Sequence, residues 1–219
     1  MKINHLHEWN VAPAEAVVIQ NSLADTLVSQ PLALDQITTV AGVDVSVKDD
    51  LSKAAVVVLT YPALEVIETA TAVMPTPFPY IPGLLTFREG PALETAFLKL
   101  KREPDVFIFD GMGRIHPRRM GIAAHLGLWL GRPTIGCGKR HLVGSYDEPA
   151  EEKGSFTPLT HRGEQLGVVL RTRSGVKPVY VSPGHLCDID SATAIVLGCT
   201  PKYRLPEPVR QAHNAAARL

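Results

Sequence analysis

Between Pro13 and Val28, Ala16, Ile19, Leu23 and Leu27 recur at helical spacing, which predicts an amphipathic helix laid over one face of a core. The rhythm then shortens. From Thr39 to Val47, Val43, Val45 and Val47 alternate with Gly42, Asp44 and Ser46, which predicts a strand with two unlike faces. Lys53–Tyr61 and Val66–Val73 continue in strand-like fashion, and the connection between them is short enough for a hairpin, so the three together predict an antiparallel meander. The run Pro75-Thr76-Pro77-Phe78-Pro79-Tyr80-Ile81-Pro82-Gly83 breaks both rhythms, because proline fixes φ and lacks an amide donor. It predicts a stiff loop carrying Phe78, Tyr80 and Ile81 into or near solvent.

Beyond the loop the pattern alternates. Glu89-Gly90-Pro91 opens a predicted helix with Leu93, Ala96, Phe97 and Leu100 on one face, which places Glu89 just before that helix. Val106–Phe109 is an apolar strand, and a strand, helix, strand order implies a parallel crossover. Pro117–Leu130 reads as a helix that is apolar on most of its surface, and Pro133–Cys137 as a buried strand ending in Gly138-Lys139. Val168–Thr172 and Pro178–Ser182 predict a small β-ribbon. Asp190 is the expected cap of a helix reaching Leu197, and Pro206-Glu207-Pro208 starts a terminal helix bearing His213. No repeat or low-complexity linker interrupts this order. The expected fold class is α/β: a mixed sheet of an antiparallel meander and parallel strands, flanked by helices, in a single domain spanning residues 1–219.

Composition narrows the function. With 45% apolar and 20% charged residues, the chain is an ordinary globular protein. No run approaches the roughly 18 apolar residues of a membrane span. The first residues also lack an apolar signal core, so a cytoplasmic protein without membrane attachment is expected. Cys137, Cys187 and Cys199 form no CxxC pair and are read as buried or free thiols. A net charge of zero argues against nonspecific coating of nucleic acid. Arg114, Arg118, Arg119, Lys139, Arg140, His116 and His141 nevertheless cluster in sequence, as a local anionic partner or a solvated charged loop would require.

Three carboxylates stand in unusual places. Asp44 interrupts a valine-rich strand, where aspartate is disfavoured. Asp110 ends the Val106–Phe109 strand, at a carboxyl end of the kind where α/β sheets bind ligands, although taken alone it is equally consistent with a helix cap or a turn support. Glu89 precedes a helix. If the strands of Asp44 and Asp110 are neighbours, their carboxylates converge, and such a pair invites a cation between them. Oxygen ligands favour Mg²⁺ or Mn²⁺, ions that hold phosphate oxygens and activate water. Lys139 ends the next strand, within reach of the same crevice. Together these residues point to metal-dependent phosphoryl transfer or phosphodiester hydrolysis. Gly111-Met112-Gly113 lacks the Walker spacing, but its missing side chains would let a flat base lie against backbone amides; a tight turn is the plainer reading.

At these residues the chain resembles the endonuclease V family. The matching pieces are Gly42-Val43-Asp44-Val45, Met74 with Pro79-Tyr80-Ile81-Pro82-Gly83, Phe87-Arg88-Glu89, Asp110-Gly111-Met112-Gly113 with His116-Pro117-Arg118-Arg119, Pro133-Thr134-Ile135-Gly136 with Lys139, and Tyr203-Arg204-Leu205-Pro206-Glu207-Pro208. They run in family order over nearly the whole chain. The resemblance implies an RNase H-like fold and Mg²⁺-dependent incision of damaged DNA at the second phosphodiester bond 3′ to deoxyinosine, with Mn²⁺ as a substitute ion. It implies Asp44, Asp110 and Glu89 as acidic metal and catalytic residues and Lys139 as the positive group near the scissile phosphate. His213 matches a histidine that some members carry near the metal, and His116 a histidine of the active-site motif; both are counted with the catalytic set. Pro79, Tyr80, Ile81 and Pro82 would form a DNA wedge, and Leu85, Gly111, Gly113, Ile122, Gly136 and Leu142 a hypoxanthine pocket. Met112 departs from relatives, which commonly carry a polar residue between the two glycines. A monomer is expected. The alternatives are an inosine-specific ribonuclease acting on single-stranded RNA and a damaged-base binding module without catalysis.

Overall fold

A computed structural model describes residues 1–219. Eight strands form one sheet: β1 (Thr39–Lys48), β2 (Leu51–Thr60), β3 (Val66–Pro75), β4 (Val106–Phe109), β5 (Thr134–Gly138), β6 (Phe156–His161), β7 (Glu164–Leu170) and β8 (Val179–Pro183), in the order β3-β2-β1-β4-β5-β8-β7-β6. The meander β1-β2-β3 is antiparallel as predicted, and β1, β4 and β5 are parallel neighbours. The helices are α1 (Pro13–Ala24), α2 (Leu85–Leu98), α3 (Ile122–Leu130), α4 (Ile189–Gly198) and α5 (Glu207–Ala217). None is long and apolar enough to cross a membrane.

Strand alternation sorts the core into two layers. Phe107 and Phe109 of β4 pack with Leu93 and Phe97 of α2 and Leu126 and Trp129 of α3 on one face. Val106 and Ile108 pack with Ile195 of α4 and Val209 and Ala212 of α5 on the other. A strand covered on both faces has no polar side, which is why β4 reads as an unbroken apolar run. On β1, Val43 joins the first layer and Val40 the second, so Asp44 turns toward α5.

Several expected boundaries move, each for a local reason. α2 begins at Leu85, so Glu89 lies inside the helix and Pro91 is an interior proline. An interior proline costs about 3 kcal/mol. Burial of Leu84, Phe87 and the Trp9 ring against Gly90 offsets this, each large side chain contributing about 1.5–3 kcal/mol. α3 starts only at Ile122, because Arg119 adopts a left-handed φ of 60° and the Gly121 amide is spent on Gly113 O at 3.0 Å. α1 ends at Ala24; Leu27 still packs against the cluster of Met120, Ala124 and Leu128, but from the turn that follows the helix. The cap of α4 is Asp188, whose side chain accepts from Ser191 N at 2.8 Å, and Asp190 sits in the first turn. The predicted ribbon is β7 with β8, and β8 joins it to the main sheet by pairing with β5. β6, an edge strand with Pro158 and a single buried position, carries no hydrophobic alternation to announce it.

Candidate active site

Asp44 and Asp110 meet because their strands are parallel neighbours. Val43 is level with Phe109, and Asp110 N donates to Val43 O at 3.0 Å, which holds the two aspartates side by side where β4 ends in the middle of the sheet. Their side chains are only 11% and 13% exposed. Burial, together with the nearby Asp110 charge, pushes the Asp44 carboxyl above the usual range, and His213 partly opposes this. His213 reaches Asp44 from α5, its Nδ1 standing 2.8 Å from Asp44 Oδ2. Gly42 permits that approach. It shares the Asp44 face of β1, and a Cβ there would fall 1.9 Å from Pro208 O in the first turn of α5.

Lys139 directly follows β5, which is parallel to β4, and its ammonium pairs with Asp110. Glu89 approaches from α2, on the opposite side of the sheet. Burial pushes its carboxyl up to about 8, with the Asp44 and Asp110 charges adding to the effect and Arg88 opposing it.

These residues fit a divalent cation. One ligand atom each from Asp44, Asp110 and His213 lies within 4.8 Å of the others. Burial and, after it, mutual repulsion raise Glu89 and Asp44, and a bound cation would oppose both. A set rich in carboxylate oxygen suits a hard ion, with one imidazole accommodated.

Beside this cluster opens a cavity of about 180 Å³ that shares Asp110 and Lys139 with it. Leu85, Gly111, Ile122 and Leu142 line it. Gly111 leaves room that a Cβ would lose, since that carbon would meet Ile122 Cγ2 at 2.6 Å. Gly113 and Gly136 do not line the cavity. They pack behind the turn, where a Cβ on Gly136 would fall 2.2 Å from Gly113 N. The Gly113 amide is also taken, donating to Ser182 Oγ at 2.9 Å. The amides of Gly111 and Met112 donate to no group of the chain. Met112 lines the cavity with a buried side chain that fills the space above Gly138, so it is packing, not a surface contact. Thr86 and Met120 also line the wall. Both are buried, and nothing in their sequence spacing separates them from core.

His116 lies on the cavity wall, outside the Asp44, Asp110 and His213 group. Its Nε2 donates to Gly83 O at 3.0 Å, and its Nδ1 accepts from the Arg118 amide at 3.2 Å. Burial, with Arg118 nearby, pushes the ring down to about 4, so it is a neutral spacer at neutral pH. In the proline-rich loop, Tyr80 is 70% exposed, and Pro79 and Pro82 are exposed beside it. Phe78 instead turns inward onto Ala16, Leu84 and Phe87, and Ile81 is partly buried against the same cluster.

The sequence profile of the Endonuclease V family matches residues 21–214. Endonuclease V of Trichormus variabilis is 50% identical over 219 residues, covering 99% of either chain. The crystal structure of Endonuclease V from Bacillus subtilis superposes with a TM-score of 0.95 at 34% identity, covering 100% of this chain and 96% of that one. Endonuclease V of Ciona intestinalis, crystallised with a 24mer DNA containing an inosine followed by a ribo-adenosine, superposes with a TM-score of 0.81 at 30% identity, covering 94% of this chain and 96% of that one. The mixed sheet is thus the RNase H-like sheet of these nucleases. The chain belongs to the endonuclease V family and is a nuclease.

Proposed function

We propose that this nuclease recognises deoxyinosine in DNA and, with Mg²⁺ or Mn²⁺, hydrolyses the second phosphodiester bond on its 3′ side. The observation that carries this reading is the adjacency of Asp110 and Gly111. One belongs to the acidic cluster and the other to the cavity wall, so base recognition and bond cleavage begin at neighbouring residues but act at separate points on a strand. A single domain of residues 1–219, acting as a cytoplasmic monomer, completes the proposal.

Deamination replaces the donor amino group at C6 of adenine with an acceptor oxygen, as in guanine. The unpaired amides of Gly111 and Met112 suit that oxygen and oppose an amino group. An extruded base would enter between Leu85, Ile122 and Leu142, with Tyr80 and the prolines Pro79 and Pro82 filling the gap it leaves. Ile81, partly buried, holds the wedge from beneath. Asp44 and Asp110, joined by His213 and with Glu89 facing them, would hold the metal ion. When bound, that ion would polarise the phosphate and supply an activated water. Lys139 places a positive charge beside Asp110, where a phosphate oxygen would lie. His213 orients Asp44 through its 2.8 Å contact.

The test is a labelled duplex with one inosine, incubated with the purified protein and Mg²⁺. A single nick at the second 3′ bond, lost in Asp110→Ala, is expected. No nick, or an undiminished one in Asp110→Ala, would overturn the proposal. An inosine-containing RNA strand, run beside the DNA, separates the deoxyribonuclease from the ribonuclease reading.

A further inference from the structure

Three donors converge on one carbonyl at the foot of the proline-rich loop. Gly83 O accepts from Gln20 Nε2 at 3.1 Å, His116 Nε2 at 3.0 Å and Arg118 Nη2 at 2.9 Å. Gly83 takes a φ of 84°, and a Cβ there would meet Arg118 Nη2 at 2.9 Å. A residue with a side chain would therefore push the guanidinium off the carbonyl.

Gln20 is the hub of this network. It is 0% exposed, and each polar atom of its amide is engaged: Nε2 also donates to Met120 O at 3.2 Å, while Oε1 accepts from Arg118 Nε at 2.7 Å. Gly83, His116 and Met120 line the base cavity, and Gly83 directly follows Pro82. One buried amide thus ties α1, the loop foot and the cavity wall together. The other end of the loop is pinned separately, by Phe78 in the core and by Arg88 Nη1 donating to Phe78 O at 2.8 Å. Gln20 lies just before the matched family region, which begins at residue 21, and it sits among apolar helix positions that hide it.

The geometry points to Gln20 as a positioning residue: with Arg118 and His116 it clamps the foot of the loop to the wall of the base cavity, so that opening the duplex and receiving the base proceed as one rigid event. This rests on the reading of Pro79–Pro82 as a wedge. A wedge that moved against its pocket would lose binding energy to ordering, and the loss would fall on paired substrate, where a base must leave a stack. An inosine in single-stranded DNA leaves no duplex gap to fill.

The experiment compares single-turnover nicking of inosine in a duplex and in a single strand, in Mg²⁺, for the unaltered protein, Gln20→Leu and Arg118→Met, with thermal melting of each. For the variants, single-strand nicking within about twofold of the unaltered protein and duplex nicking at least about tenfold slower are expected. An unchanged duplex-to-single-strand ratio, whether both rates hold or both fall together, overturns the inference and leaves the network as packing. If Gln20→Leu does not fold, Arg118→Met, at a half-buried side chain, decides the same comparison. Failure of the unaltered protein to nick either substrate would overturn the nuclease reading on inosine, and this inference with it, before any variant is made.

Discussion

His213 Nδ1 stands 2.8 Å from Asp44 Oδ2, although the two residues are 169 positions apart. The imidazole holds one carboxylate of the acidic cluster in a fixed orientation and offers a ligand atom of its own. Losing such a partner of a metal ligand typically costs about 10–100-fold in metal affinity. His213→Ala should therefore raise the Mg²⁺ concentration for half-maximal nicking by at least about tenfold, while nicking at saturating metal falls less. A metal titration of the nicking rate reads this. An unchanged midpoint would remove His213 from the metal centre.

Tyr80 is exposed and packs on nothing that the fold needs. Tyr80→Ala should leave stability within about 0.5 kcal/mol of the unaltered protein. Aromatic stacking on a base is worth about 1–3 kcal/mol, so binding to an inosine duplex should weaken about 5–150-fold. Fluorescence anisotropy in Ca²⁺ and thermal melting provide the two readings. A large loss of stability would mean that Tyr80 supports the loop and is not a wedge.

A methyl group at Gly111 would meet Ile122 Cγ2 at 2.6 Å, inside the proposed base pocket. Overpacking of this kind typically costs about 1–3 kcal/mol. Gly111→Ala should raise the KM for inosine DNA at least about tenfold, with a smaller effect on kcat, because the acids lie on the other side of the Asp110–Gly111 peptide. Steady-state kinetics on one duplex decides it, and a fall in kcat alone would place Gly111 with the acids instead of the pocket.

His125 is fully buried, its Nε2 2.7 Å from His7 Nε2, in a cluster that ties the N-terminal segment to Trp129 and Phe87. Burial, with His7 and His116 nearby, pushes its ring down from 6.5 to about 3. Burial lowers His7 as well, against the raising effect of Glu8 and Glu94. At these two rings the unfolded chain thus binds more protons than the folded one below pH 6.5. The stability these rings lend is full above that pH and is lost as pH drops toward about 3, with a slope of up to about 1.4 kcal/mol per pH unit for each such proton. Glu89, raised from 4.5 to about 8, has the opposite sign above pH 4.5, so the net fall is steepest between about 4.5 and 3. Denaturant melts across this range should show that fall, and His125→Leu should flatten it. His116, pushed down to about 4, contributes a remaining slope. A fall of equal steepness in His125→Leu would exclude His125 as its source.

The amino-acid sequence by itself determined the elements whose signals are local. The valine alternation around Asp44 marks β1, the apolar run before Asp110 marks β4, and the prolines mark a stiff loop, because period and proline geometry act within a few residues. The strand positions of Asp44 and Asp110 followed, since a carboxylate inside or at the end of an apolar strand is conspicuous. What only the tertiary structure decided are relationships across the fold. Whether β1 lies beside β4, and so whether the two acids meet, depends on strand order. That His213 finds Asp44 depends on Gly42 admitting α5 to the same face. The Gly113 amide, available in the sequence, is consumed by Ser182 from β8, which leaves the amides of Gly111 and Met112 as the ones without a partner in the chain. His116, a catalytic candidate by motif, becomes a neutral strut on Gly83 because both ring nitrogens are held by backbone. Gln20 carries no local signal at all: one buried polar residue in a helix becomes a hub only when two distant segments fold around it.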